Sequence, residues 1–230
     1  MWTRQQVART IDHAALKPQM TDDDIREACA LGRKYGVATV CVRPTDVATA
    51  AEVLAGSGVP VAAVIGFPHG ANRPETKALE AKLAIADGAR ELDMVMNVGK
   101  FLSGETDHVR RDIEAVVAEA RAAGGVLVKV ILETCYLSLE QVARACEIAR
   151  DAGADFVKTS TGFGDGGATP EVIDVMVRTV GETMGVKASG GVRSYETAVG
   201  YLQQGCKRLG AAGGTKVICE QAPADEGGQT

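Results

Sequence analysis

The feature that most constrains this chain is a pattern that keeps returning: an amphipathic stretch, a glycine stop, a short β-branched run, then a polar loop. "TDDDIREACALGRKYG" opens on Thr21 as a predicted helix N-cap, sets Ile25, Ala28 and Cys29 on one face and stops at Gly36, before the strand-like "VATVCVRP". "SLEQVARACEIARDAG" begins with Ser138 and Gln141 as a capping box. It places Val142, Ala145, Cys146 and Ala149 at i, i+3, i+4 and i+7, the spacing of a buried helical stripe, and leads into "ADFVKTST". "TPEVIDVMVRTVGETMG" has Thr169 at the cap, Pro170 at the first helical position and Ile173, Met176, Val177 and Val180 on one side, ahead of "VKASGG".

The strand candidates are "TIDHAAL", "VATVCVRP", "PVAAVIGFP", "RELDMVMNVG", "GVLVKVILET", "DFVKTST", "GVKASGG" and "KRLGAAGG", the first and last being weak. Eight strands alternating with helical patterns predict an α/β fold, a single-domain (β/α)8 TIM barrel. The competing open, doubly wound sheet would carry a Gly-rich dinucleotide turn after an early strand, and none stands there. The barrel is expected over residues 1–219 and a disordered tail over 220–230, where the sequence turns polar and Gly-rich.

Composition narrows the classes of function. With 46% hydrophobic residues, 24% charged and a net charge of −5 without a basic stripe, the chain lacks the electrostatic footprint of a nucleic-acid binder. Its apolar runs are too short to span a bilayer, and "MWTRQQVARTIDHAAL" has no apolar core followed by a cleavage site, so a cytoplasmic protein without membrane association is expected. The six cysteines are scattered without a CxxC, which argues for reduced thiols rather than disulfides or zinc. His13, His69 and His108 have no partner at i+4, so no metal centre is expected.

Charges inside strands are the residues to question. Asp93, Lys129, Lys158 and Lys187 each sit amid apolar neighbours. Burying an unpaired charge costs several kcal/mol, so a shared polar cluster is the economical explanation, with lysines outnumbering nearby carboxylates two to one. Such a cluster either fills the barrel as ion pairs or performs chemistry. At an ordinary pKa near 10.4 only about one lysine in 2,500 is neutral at pH 7, and an amine nucleophile needs that value lowered by about three units, or ~4 kcal/mol. A neighbouring ammonium and desolvation both act in that direction, which points to Lys158 beside Lys187. A neutral lysine attacks a carbonyl to form a Schiff base, and Asp93 would move protons directly or through water.

Glycines mark a second feature. Gly190 and Gly191 lie between the seventh strand and a helix capped by Ser194, while Gly210, Gly213 and Gly214 follow or end the eighth. Their backbone N–H groups suit an anion, at the strands whose loops hold phosphate in such barrels; tight turns are the alternative reading. Gly162, Gly164, Gly166 and Gly167 either line the same mouth or make its loop flexible. Asp12 is either an N-cap or the holder of a substrate hydroxyl, and Cys41 is a core thiol close to the site.

Taken in order, "IDHAALKP", "GFPHGAN", "ELDMVMNVGKF", "KVILET", "DFVKTSTGFG", "VKASGGVR" and "RLGAAGG" resemble the deoxyribose-phosphate aldolase family across nearly the whole chain. The resemblance implies a cofactor-free class I aldolase that reversibly cleaves 2-deoxy-D-ribose 5-phosphate to D-glyceraldehyde 3-phosphate and acetaldehyde. It makes Lys158 the Schiff-base residue, with Lys187 lowering its pKa and sharing a proton relay with Asp93. Substrate contacts are expected from Asp12, Lys129, Thr161, Gly190, Gly191, Gly210 and Gly213, and a homodimer is the family-level assembly. The chain departs from the pattern at Ala212 and Gly213, where many members have adjacent serines, and its "GGQT" end lacks the terminal tyrosine of some members.

Overall fold

The computed structural model describes residues 1–225. Its strands are β1 (Ile11–Ala15), β2 (Thr39–Val42), β3 (Val61–Ile65), β4 (Glu91–Val95), β5 (Leu127–Ile131), β6 (Phe156–Lys158), β7 (Gly185–Ser189) and β8 (Arg208–Ala211). All pair in parallel with their sequence neighbours, and β1 closes on β8 through Ile11↔Leu209 and Asp12↔Gly210. This is the (β/α)8 barrel expected. The two weakest strand candidates are the ones that seal it.

Around the barrel run α1 (Arg4–Ala8), α2 (Asp22–Tyr35), α3 (Val47–Leu54), α4 (Pro74–Ala86), α5 (Val98–Leu102), α6 (Thr106–Ala123), α7 (Leu139–Asp151), α8 (Pro170–Val180), α9 (Tyr195–Gln203) and α10 (Thr215–Gln221). The predicted caps form: Thr21 and Ser138 make capping boxes with Asp24 and Gln141, Thr169 accepts from the Val172 N–H, and Gly36 ends α2 at φ 63°. A left-handed end of this kind favours glycine because a Cβ is penalised there. Among the described residues no helix is long and apolar enough to cross a membrane.

Beyond the boundary expected at residue 219, the described residues stay in contact with the barrel as far as Asp225. Helix α10 runs to Gln221, the Pro223 carbonyl accepts from the Arg4 N–H at 2.8 Å, and the Asp225 carboxylate accepts from Thr3 and from the Gln5 N–H. The rest of the predicted tail, 226–230, lies outside the described residues.

Alternation along each strand divides the fold into two interiors. Outward residues such as Val40, Leu92, Met94, Val128, Val130, Val157, Val186 and Leu209 join the apolar layer beneath the helices. The inward set is mostly polar. Cys41, Ala62 and Val64 form a small apolar cluster there with Ala14, and Val95, Ile131 and Phe156 share the inward faces of Asp93, Lys129 and Lys158. The first residues of the even strands, Thr39, Glu91, Phe156 and Arg208, form the lowest inward layer, as the layered packing of such barrels requires.

Candidate active site

Register brings the predicted charges together. Asp93 lies beside Lys129, Lys158 beside Lys187, and Lys187 beside Arg208. All face the barrel interior. Lys158 and Lys187 donate to the same oxygen of Asp93, Oδ2, at 2.8 and 2.7 Å, while Lys129 donates to Oδ1 at 2.7 Å. Lys187 also contacts Asp12. Lys129 continues to Glu91 at 2.5 Å and Asp12 at 3.3 Å.

The cluster holds three carboxylates (Asp12, Glu91, Asp93) and four cations (Lys129, Lys158, Lys187, Arg208), a balance of +1. The sequence-level expectation of two lysines per carboxylate is therefore corrected. Glu91 precedes Asp93 by two residues and so shares its inward face, which a strict period of two along the strand indicates. Arg208, two residues before Gly210, stood in a weak strand, and Asp12 lies within β1 rather than at a helix cap.

The two central lysines differ in what holds their charge. Burial is the largest influence on Lys158 and lowers its pKa; Asp93 opposes this and Lys187 adds to it, leaving the amine below its ordinary value. Burial also works against Lys187, but Asp12 and Asp93 outweigh it and its pKa is raised. Desolvation thus contributes more than the neighbouring ammonium emphasised from the sequence. Burial would raise Asp93, yet Lys129, Lys158 and Lys187 hold it well below the usual carboxylate range. Asp12 is lowered in the same way by Lys129, Lys187 and Arg208 against burial. Burial pushes the Cys41 thiol up to about 12, so it stays protonated on the wall.

Above the cluster opens a cavity of about 530 Å³ at the carboxyl ends of the strands. Asp12, Lys158, Thr161, Lys187, Gly190, Gly191, Gly210 and Gly213 line it, as do Lys17 and Arg193 at its rim. Lys129, fully buried, does not; the expected substrate contact there is replaced by ion pairs beneath the cavity. Thr161 donates its hydroxyl to Glu133 and accepts from the Phe163 N–H, while its own N–H donates to Glu133 at 3.0 Å. It shapes the loop after β6 as much as it faces the cavity. Glu133, at φ 53° a non-glycine residue in left-handed backbone, carried no sequence signal for this task.

The glycine turns differ in kind. Gly190 and Gly191 have φ of 82° and 87°, and a Cβ on Gly190 would lie 2.7 Å from the Gly167 Cα, so two loops meet backbone to backbone. Ser194 caps α9 by accepting from the Thr197 N–H. A Cβ on Gly210 would meet the Ser189 Cβ at 2.7 Å, so this glycine leaves room for the β7 side chains. Gly213 has open space around it. Ser189 ties β7 to the end of β6, donating to the Ser160 carbonyl at 2.5 Å, while Thr159 donates to the Ser189 carbonyl at 2.9 Å. Among the described residues no group of three His, Cys, Asp or Glu side chains is placed to hold a metal ion.

A closed (β/α)8 barrel with charged side chains gathered under a polar cavity at the carboxyl end defines a barrel enzyme. A family model for the DeoC/LacD family aldolase matches residues 6–216. The chain is 51% identical over 214 residues to the deoxyribose-phosphate aldolase of Caldanaerobacter subterraneus subsp. tengcongensis, covering 93% of each chain. It is 53% identical to the one from a Geobacillus species, covering 92% of this chain and 94% of that one. The solved structure of deoxyribose phosphate aldolase from Aeropyrum pernix, described as tetrameric, matches with a TM-score of 0.88 at 32% identity, over 96% of this chain and 92% of the other. The chain belongs to the DeoC/LacD aldolase family, and it is an aldolase, a carbon–carbon lyase.

Proposed function

We propose that this aldolase reversibly cleaves 2-deoxy-D-ribose 5-phosphate to D-glyceraldehyde 3-phosphate and acetaldehyde through a Schiff base on Lys158. The observation that carries this reading is the asymmetry at Asp93: both amines contact one oxygen, but only Lys187 has a second carboxylate to retain its proton. Both lysines line the cavity, and Lys158 is the more exposed of the two, at 4% against 1% for Lys187.

The neutral amine of Lys158 attacks the aldehyde carbon of the open-chain sugar, and loss of water gives an iminium. The C2–C3 electron pair moves into the iminium as the C3 hydroxyl loses its proton, releasing glyceraldehyde phosphate and leaving an enamine. Protonation of the enamine carbon and hydrolysis return acetaldehyde and the free lysine. Lys187 as ammonium and Asp93 as carboxylate carry the protons, directly or through water. The phosphate is received by backbone N–H groups at Gly190, Gly191 and Gly213, where no side chain intervenes, with Arg193 and Lys17 at the rim.

A keto-acid substrate would need a guanidinium fork. Arg43 is committed to Asp46 and to the carbonyls of Lys17, Pro18 and Met20, which leaves Arg193 alone at the mouth. The same reading makes the enzyme cytoplasmic, in keeping with six cysteines that all remain free thiols. A homodimer is the assembly to test by sedimentation. The decisive assay compares turnover of deoxyribose 5-phosphate with that of keto acids. Turnover of the sugar phosphate, reduced at least about 1,000-fold in a folded Lys158→Arg variant, is expected from loss of the covalent route. Full activity in that variant would reject the assignment.

A further inference from the structure

Under the reacting layer lies a second set of charges that never meets the cavity. The Arg208 guanidinium donates twice to Glu91, at 2.8 and 3.0 Å, and once to Asp12 Oδ1 at 2.6 Å, and it rests over the Phe156 ring at 5.8 Å. Each partner touches the layer above. The other oxygen of Asp12 contacts Lys187, and Glu91 shares Lys129 with Asp93. Arg208 thus reaches Lys187 through Asp12, and Glu91 reaches Lys158 and Lys187 through Lys129 and Asp93.

We propose that Glu91 and Arg208 are positioning residues of the reaction: without reaching substrate, they fix the charge count of the buried cluster and so decide that one amine, Lys158, gives up its proton. The inference rests on the reading of Lys158 as the reacting amine.

The argument is electrostatic. With every group charged the balance is +1, and loss of one proton brings the buried cluster to neutrality. The cost of keeping net charge in a poorly solvated interior favours that loss. The proton leaves the lysine with the fewest carboxylate contacts. Lys129 has three, Lys187 two and Lys158 one. The groups facing Lys158 around the barrel are Asp12 on β1, Cys41 on β2, Glu91 and Asp93 on β4, Lys129 on β5, Lys187 on β7 and Arg208 on β8; β3 offers only Ala62 and Val64. Removing Glu91 makes the balance +2 and should ease proton loss. Removing Arg208 makes it zero with Lys158 charged and should hinder it.

The opposite signs give the test. The pH dependence of Lys158 acetylation by trace acetic anhydride, read by peptide mass, measures its protonation without using turnover. In Glu91→Gln the labelling midpoint should fall by roughly half a pH unit or more, and in Arg208→Met it should rise by a similar amount, the scale of one charge across the barrel at an effective dielectric of about 20. Glu91→Gln/Arg208→Met restores the count and should return the midpoint towards that of the parent. If Arg208→Met does not fold, the direction in Glu91→Gln alone decides. Unmoved midpoints, or shifts of the same sign in both single variants, overturn the proposal. Midpoints that move as stated while the low-pH limb of kcat/KM stays fixed support the charge count and instead reject Lys158 as the reacting amine.

Discussion

Lys158 and Lys187 have the same chemistry, occupy adjacent strands and touch the same carboxylate oxygen, yet a single extra partner separates their proton affinities. Asp12 retains the proton on Lys187, while desolvation opposes it on Lys158 with only Asp93 in compensation. At the end proposed to receive phosphate the informative residue is Gly213, where nothing stands within 4 Å of a built Cβ. Gly213→Ser should lower KM for deoxyribose 5-phosphate about 10- to 150-fold, the worth of one hydrogen bond to a charged group, with kcat little changed. Steady-state kinetics will show this; an unchanged or higher KM would count against phosphate at that turn. Strand patterning alone singled out Asp93, Lys129, Lys158 and Lys187, because a charge inside an apolar run needs a reason. Glu91 and Arg208 were hidden because each stands at a strand's first position, where a charge ordinarily reads as the end of a loop.

At the scale of elements, β6 and the loop behind it are held by short polar contacts. The strand has only three residues, Phe156–Lys158, and its continuation is fixed by Thr159 and Ser160 to Ser189 and by Thr161 to Glu133. Left-handed backbone at a residue with a Cβ costs about 1–2 kcal/mol, and at Glu133 that cost is offset by two bonds to Thr161. Glu133→Ala should therefore reduce kcat/KM roughly 10- to 100-fold by releasing the loop beside Lys158, and Glu133→Gln, which keeps an acceptor, should reduce it less. Wild-type kcat/KM in a folded Glu133→Ala variant would show the latch to be irrelevant to the site. The helices α2, α7 and α8 were legible to their caps, since capping chemistry and glycine stops are local. Helices α1 and α5, five residues each, carry too little periodicity to be read and depend on packing against the barrel.

At the scale of the whole molecule, the charged interior makes stability depend on pH. Asp12 and Asp93 have folded pKa values below their unfolded ones, so their contribution is complete above the unfolded value near 3.9 and is lost as pH falls through the folded values. Lys129 and Lys187 are raised, so theirs is complete below about 10.4 and is lost as pH rises through the folded values. Lys158 is lowered and acts the other way, its cost shrinking as pH rises towards its unfolded value. Urea midpoints should accordingly drop steeply below about pH 4 and remain broad near neutrality; an acid limb as flat as that of a barrel without buried charges would contradict this. The closed barrel could be read from eight alternating units and needed no tertiary information. The charge balance could not, because it depends on which side chains from opposite walls meet.

The most direct measurement is covalent capture: incubation with acetaldehyde, reduction with borohydride, and peptide mapping of the irreversible adduct. The account predicts a two-carbon modification on Lys158, absent without reduction and absent in Lys158→Arg. A reduced adduct on Lys187 or Lys129 with Lys158 untouched, or turnover of deoxyribose 5-phosphate with no captured adduct at all, would contradict it.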